Sequence, residues 1–282
     1  MSYTDIVYNQ LIHEILENGV WDDPRYVRAR YADGTIARAK SITGVQLKFD
    51  NSEVVIPTSK RVPEKAPIHE LLWIWQDKSN NVQDLRNRGV RIWDEWEIKE
   101  GEMAGTIGPA YGHQLGVKCR NVNGIMMDQV DYVIYMLKNN PGSRRIMTTL
   151  WDKDDLDKMA LTPCVWATHW LVKDGKLDLI IQIRSNDMAL GNPFNIYQYN
   201  VLQRMMAQVT GYELGTFTVN IDDAHIYDRH IEGLRQQIQE KTYPAPKIWI
   251  NPEIKDFYEF TVDDIKLIDY QWANEYKYEI AI

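Results

Sequence analysis

The chain has 282 residues, 44% hydrophobic and 26% charged, with 32 lysines and arginines against 40 aspartates and glutamates for a net charge of −8. That length favours one large α/β or α+β unit, the apolar share excludes a disordered chain, and the negative charge argues against a protein that lives on nucleic-acid backbones. Only two cysteines, Cys119 and Cys164, occur, without a CxxC pair or a signal-like start, so the cytoplasm is the expected compartment, and no apolar run is long enough to span a bilayer.

In chain order, "IVYNQLIHEILENG" spaces Ile6, Leu11, Ile12, Ile15 and Leu16 as one helix face and stops at Gly19, a C′ glycine. "IARAKSITGVQLKFD" alternates as one or two strands, and "IHELLWIWQ" returns to helix with Glu70 near an apolar face. "MDQVDYVIYMLKNN" predicts a helix ending before Pro141, followed by the strand "SRRIMTTLW". "CVWATHWLV" and "LDLIIQIRS" predict a hairpin turned at Asp174-Gly175-Lys176, and "NIYQYNVLQRMMAQVTG" predicts a buried helix ending near Gly211. A strand "GTFTVNIDDAHIY", a helix from about Asp228 and short strands between prolines complete the chain, with no repeat or linker to mark a domain boundary.

Several residues carry chemistry. Cys164 sits behind Thr-Pro at a strand start; a thiolate is a strong nucleophile whose pKa a nearby arginine or helix dipole lowers, and the alternative is a small buried side chain. The stretch "RSNDMALGNPFN" predicts a loop that presents Arg184 and Ser185 to a phosphate, with Asn195 near the helix N-terminus on a flat heterocycle's edge; a structural turn is the other reading. Arg144 and Arg145 add guanidinium groups, but neighbours on a strand point to opposite faces, so both reach one phosphate only through a bulge, a loop or a second chain. Asp223, His225 and Tyr227, two apart, share a strand face suited to a sugar hydroxyl or to a structural histidine. "HELLW" does not complete HExxH, because residue 73 is Trp, and no other spacing suggests a metal. Glu70 is instead a buried carboxyl with a raised pKa or a partnered core group. "GTIGPAYGHQLG" is neither GxGxxG nor a P-loop and reads as a loop displaying Tyr111, while Trp93 and Trp96 form a stacking platform or a core pair. Cys119 lies in a polar connector and has no assigned role.

Taken in order, "HELLWIWQ", "IWDEW", "GPAYG", "DQVDYVIYMLKNNPGSRR", "LTPC", "RSNDMALGNPFN" and "DDAHIY" resemble the folate-dependent, cysteine-using thymidylate synthase family. The resemblance runs over residues 1–282 as one catalytic domain. It implies an α+β fold, a large twisted mixed β-sheet packed by helices, with one sheet face forming a homodimer interface. It further implies conversion of dUMP and 5,10-methylenetetrahydrofolate to dTMP and dihydrofolate without a metal. By the resemblance, Cys164 attacks C6 of the uracil, Glu70 organises water and protons around the base, Tyr111 helps remove the C5 proton, and Asn195 reads the uracil edge. Arg28, Arg184 and Ser185 hold the phosphate together with Arg144 and Arg145 of the other subunit, and His225 and Tyr227 take the ribose hydroxyl. Trp93, Asp187, Leu190, Gly191 and Ile282 match folate contacts, with Asp187 also in the catalytic set. A pyrimidine-nucleotide hydroxymethylase, in which water traps the methylene, is the alternative. Three departures stand out: Val165 where the family usually has His, Asp222 where it usually has Gly, and Lys60 flanked by Ser59 with Pro63 beyond.

Overall fold

The opening periodicity forms α1 (Tyr3–Asn18), whose N-cap Ser2 accepts a hydrogen bond from the Asp5 amide. A computed structural model describes every residue from Met1 to Ile282. Gly19 does not close α1 in the left-handed conformation; it is extended, at φ −63° and ψ 154°. Its lack of a side chain answers a need for room, because a Cβ there would stand 2.5 Å from the Ile15 carbonyl oxygen as the chain turns directly into β1.

The elements follow as β1 (Val20–Trp21), β2 (Ala39–Phe49), α2 (Ala66–Trp75), α3 (Val82–Asn87), α4 (Gly112–Gly116), β3 (Arg120–Val122), β4 (Ile125–Met127) and α5 (Gln129–Asn139). Beyond them come β5 (Ile146–Thr149), β6 (Val165–Lys173), β7 (Lys176–Ile183), β8 (Asn186–Asp187), α6 (Gly191–Thr210), β9 (Glu213–Tyr227), α7 (Ile231–Gln237), β10 (Lys247–Ile250) and β11 (Ile265–Ile268). The main sheet has the order β1-β2-β9-β7-β6-β5, with β8 also pairing β9. It is mixed: β9 runs parallel to β7 and β8, and the other pairs are antiparallel. Register shifts in β6 and β7 add local bend and twist. The architecture is α+β, a large mixed sheet packed by helices.

The predicted hairpin is present as β6 and β7. Its two turn residues, Asp174 and Gly175, both have positive φ, as a primed two-residue turn requires. Strand β5 begins only at Ile146, so Arg144 and Arg145 precede it rather than alternating along it. The stretch 184–195 is less of a loop than the residue pattern suggests: it contains β8 and the first turn of α6, which starts at Gly191.

Helix α6 is buried nearly all round. Ile196, Val201, Leu202, Met205 and Met206 are at most 1% exposed, and each such side chain stabilises the fold by about 2 kcal/mol on burial. Its interior polar residues are paired: Gln203 donates to the Leu177 and Thr216 carbonyls, and Asn200 accepts from the Val55 amide. The helix therefore fixes β7, β9 and the 51–55 segment at once, and Gly211 in the left-handed conformation ends it.

A second anchor ties α1 to the chain that leads toward α2. The buried Asp5 carboxylate accepts from the Ser2 hydroxyl (2.6 Å), the Thr58 amide (2.8 Å), the Thr58 hydroxyl (2.6 Å) and the Ser59 amide (3.1 Å). Removing it strands these donors in the interior. Asp5→Ala is expected to destabilise the protein by about 3 kcal/mol and lower its Tm by roughly 6 °C, measured by calorimetry.

Candidate active site

The site grows from the hairpin. One rung past the last strand pair, the Arg184 amide donates to the Cys164 carbonyl at 3.0 Å, which sets Cys164 and Arg184 side by side. The Arg184 side chain turns back on the segment before the cysteine, donating from Nε to the Pro163 carbonyl and from Nη2 to the Thr162 carbonyl. Opposite stands α2, whose Glu70 is buried and accepts from Trp93 Nε1 and from Gln198 Nε2, each at 2.6 Å. Trp93 packs edge-on against Tyr111 at 5.0 Å between ring centres, and the Tyr111 hydroxyl accepts from the Cys164 amide at 3.0 Å. Glu70, Trp93, Tyr111 and Cys164 thus form one continuous chain of contacts. Tyr111 holds a backbone φ of 47°, unusual for a bulky residue, which aims its ring at this junction.

Strand β9 supplies another wall. Asp223, His225 and Tyr227 all reach the cavity, as their spacing demands. His225 Nδ1 lies 3.1 Å from Asp223 Oδ2, and its ring meets Tyr227 at 5.0 Å. The parallel pairing of β8 with β9 puts Asp187 opposite His225. Asn195, one turn into α6, accepts at Oδ1 from Asn186 Nδ2 (3.1 Å), and Asn186 Oδ1 accepts from Asn192 Nδ2 (2.7 Å), so a small amide network orients it.

Glu70, Trp93, Tyr111, Cys164, Arg184, Asn186, Asp187, Asn195, Gln198 and the β9 trio border one cavity of about 1090 Å³. Arg28, Ser185, Leu190, Gly191 and Ile282 line it as well. Of the catalytic, substrate-binding and folate-contacting residues that the resemblance implies, only Arg144 and Arg145 lie away from it, both exposed. Among its charged lining residues are five acids, Asp22, Asp23, Glu70, Asp187 and Asp223, against three cations, Arg28, Lys60 and Arg184. Trp93 and Trp96 meet edge-to-face at 5.6 Å and both line the cavity, Trp93 buried in the core and Trp96 half-buried. No group of three or more His, Cys, Asp or Glu side chains in the chain is placed to hold a metal ion.

The departures noted in the sequence also have places. Val165 is a core residue, 2% exposed. Asp222 is exposed in regular β9 with no special backbone conformation. Lys60 is buried, donates to the Ala189 carbonyl at 2.6 Å and lies over the Tyr278 ring; burial brings it down to about 8.

Burial governs the chemistry. It pushes the Cys164 thiol up, and the Arg184 charge and the Tyr111 hydroxyl only partly oppose it, so the lowering expected from a neighbouring arginine is present but outweighed. Burial and the nearby cysteine raise Tyr111 well above the phenol range. His225 is raised, because Asp223 and Asp187 outweigh the burial that would lower it. Asp187 is lowered: burial acts upward, but His230, His225 and the Ala189 amide prevail.

Sequence reasoning missed Gln198, Asn186 and, apart from Ile282, the carboxyl-terminal strap. Gln198 gave a faint sign, a polar residue inside an apolar helix face. The strap gave a clearer one, the alternation of Tyr276, Tyr278, Ile280 and Ile282. Its last residue pairs with the Arg28 loop through both main-chain groups, Ile282 N–H to Arg30 O at 2.8 Å and Arg30 N–H to Ile282 O at 2.7 Å.

Burial carries Glu70 from an ordinary 4.5 to about 7, against the Gln198 and Trp93 hydrogen bonds that favour its charged form. The folded chain therefore binds this proton more tightly than the unfolded chain. The resulting stabilisation is complete below the unfolded value and is lost as pH rises through about 7. Urea unfolding is expected to show stability falling by on the order of 3 kcal/mol between about pH 5 and about pH 8, a slope that Glu70→Gln removes.

Comparison with known proteins agrees with this geometry along the whole chain. The family model described as thymidylate synthase matches residues 6–282. A Bacillus licheniformis protein named thymidylate synthase is 56% identical over 283 residues, covering all of both chains. Thymidylate synthase 1 of Bacillus subtilis (strain 168) is 55% identical over the same span. The solved structure of a thermostable thymidylate synthase A from Bacillus subtilis superposes with a TM-score of 0.94 at 55% identity, covering 99% of each chain. A match that spans the sequence from its first helix to its last residue, in fold as well as in identity, means that this chain belongs to the thymidylate synthase family.

Proposed function

We propose that the chain works as one catalytic domain, residues 1–282, converting dUMP and 5,10-methylenetetrahydrofolate to dTMP and dihydrofolate. The observation that carries this reading is the junction where Cys164, Arg184 and Tyr111 meet on the wall of a large cavity. The cavity suits two flat ligands: its volume of about 1090 Å³ reaches the upper range of small-molecule sites, and Ile74, Ile92, Trp93, Trp96, Leu190 and Phe194 give it apolar walls.

The folate supplies the one-carbon unit and the hydride. The chain's own residues do the rest. Cys164 Sγ adds to C6 of the uracil, and the electron pair moves to C5, which becomes nucleophilic. Glu70, poised at about 7, holds or yields a proton at neutral pH. Tyr111 keeps its own proton and borders the cysteine, in position to order the group that removes the C5 proton. Asn195 reads the uracil edge, and His225 with Tyr227 meets the ribose. Asp187, Leu190, Gly191, Trp93 and Ile282 border the folate. The tryptophan-lined wall keeps water from the transferring carbon, and the relatives bear the synthase name, so the hydroxymethylase reading is not favoured.

A nucleotide phosphate needs more cations than one chain offers. Arg28, Arg184 and Ser185 are present, but acids outnumber cations among the charged residues lining the cavity. Arg144 and Arg145, exposed and away from their own cavity, are the groups a second copy would contribute. The sheet face opposite the helices supports a homodimer, since Trp166, Leu171 and Ile180 there are only half-buried. No helix is long and apolar enough to cross a membrane, and two free thiols fit a cytoplasmic protein.

Two experiments test the reading. Purified protein given dUMP and methylenetetrahydrofolate is expected to form dTMP and dihydrofolate in equal amounts, and Cys164→Ala to slow this at least about 10⁴-fold; persistence of turnover in the variant sinks the covalent route. Mixing and refolding two inactive proteins, Cys164→Ala and the Arg144→Ala/Arg145→Ala double variant, is expected to restore about a quarter of the wild-type rate, because each mixed dimer regains one complete site. Arginines acting within their own chain would give no recovery.

A further inference from the structure

Beyond the groups that line the catalytic wall, two buried nitrogens lack a hydrogen-bond partner, Trp75 Nε1 and His230 Nδ1, and the second faces a residue of the cavity wall. His230 closes the short 3-10 turn Asp228–His230 after β9 and is fully buried. Its Nε2 lies 2.7 Å from the Glu279 carbonyl oxygen in the strap. A carbonyl only accepts, so Nε2 carries the proton and donates. Nδ1 makes no hydrogen bond. It faces Asp187 Oδ1 from 3.6 Å, within ion-pair range and beyond hydrogen-bond length. The same Asp187 oxygen accepts from the Ala189 amide at 2.8 Å. A carboxylate displacement of roughly 0.6 Å would bring the pair to hydrogen-bond length, a contact in which Nδ1 also carries a proton and donates to the carboxylate.

The strap reaches His230 over a surface shaped to receive it. Arg229, the preceding residue, donates from Nη1 to Glu279 Oε2 at 2.8 Å. The Tyr278 ring lies 5.1 Å from the His230 ring, and its hydroxyl donates to Gln237 Oε1 at 2.8 Å. Gly233 on α7 makes room for that ring: a Cβ there would come within 2.8 Å of it. Every contact of this receptor surface falls on Tyr278 or Glu279, and Tyr278 lines the cavity together with Ile280, Ala281 and Ile282.

We propose that His230 is a positioning residue that joins the seated strap, through the Glu279 carbonyl, to Asp187 on the cavity wall, so that docking of the strap sets the carboxylate. The inference deepens the reading above and rests on Asp187 meeting the folate. Its functional content is that the co-substrate's binding wall and the end of the chain are assembled together, by one histidine ring that, with a proton on each nitrogen, has an acceptor on each side.

Two amides separate the two nitrogens. The side-chain amide of glutamine reaches as far as Nε2, and that of asparagine only as far as Nδ1. His230→Gln therefore keeps a donor for Glu279 and loses the group facing Asp187, and His230→Asn does the reverse. With the full-length protein, the measurements are kcat and KM for methylenetetrahydrofolate, the Kd for dUMP alone, and the rate of trypsin cleavage after Lys277. His230→Gln is expected to resist trypsin as the wild type does, to bind dUMP within about twofold, and to lose at least about tenfold in kcat/KM for the folate. His230→Asn is expected to be cut at Lys277 at least about fivefold faster, with a folate defect as large. The dUMP Kd reports that each variant is folded. Wild-type folate kinetics in His230→Gln would overturn the link to Asp187, and wild-type protection of Lys277 in His230→Asn would overturn the link to the strap. Absence of dTMP formation by the wild type would defeat the functional reading separately, and trypsin protection with folate binding read by tryptophan quenching would still decide the link.

Discussion

The hydrogen bond from the Arg184 amide to the Cys164 carbonyl is the constraint on which the site depends. It extends the β6–β7 ladder by one rung, and the register of that ladder is set at its far end by the turn at Asp174 and Gly175. Strand β7 alternates fully buried Leu177, Leu179, Ile181 and Ile183 with half-buried residues. A slip of one residue would bring the polar set into the core and carry Arg184 away from the thiol. The interior packing of the hairpin and the placing of the arginine are therefore one specification.

The chemistry is drawn from the same interior. A carboxyl, a thiol and a phenol within one contact chain are all shifted upward because the core that fixes them also desolvates them. Such burial favours the neutral thiol at Cys164. The positive charge beside Cys164 works against that bias.

Much of this was legible in the sequence where a local rule acts alone. The period of two put Asp223, His225 and Tyr227 on one face, the Asp-Gly turn announced the hairpin, and the apolar run of α6 declared its burial. What escaped depends on packing between distant segments. Gln198 matters only because Glu70 lies 2.6 Å away, and Asn186 only because α6 brings Asn192 and Asn195 beside it. The net shift at Cys164 follows from a balance of burial against charge that no spacing reveals. Arg144 and Arg145 posed a puzzle of opposite strand faces that dissolves because β5 starts after them. The family resemblance pointed to more of the site than the residues could do singly, since the motifs gain meaning from their order.

The pairing of Ile282 with Arg30 has a practical side. Both main-chain groups of the final residue are engaged beside a loop that carries one of the cavity's arginines, so any peptide appended there must start at the mouth of the ligand cavity and compete with this pairing. Met1, by contrast, is 71% exposed. Affinity handles, fluorophores and surface tethers for this protein belong at its amino end.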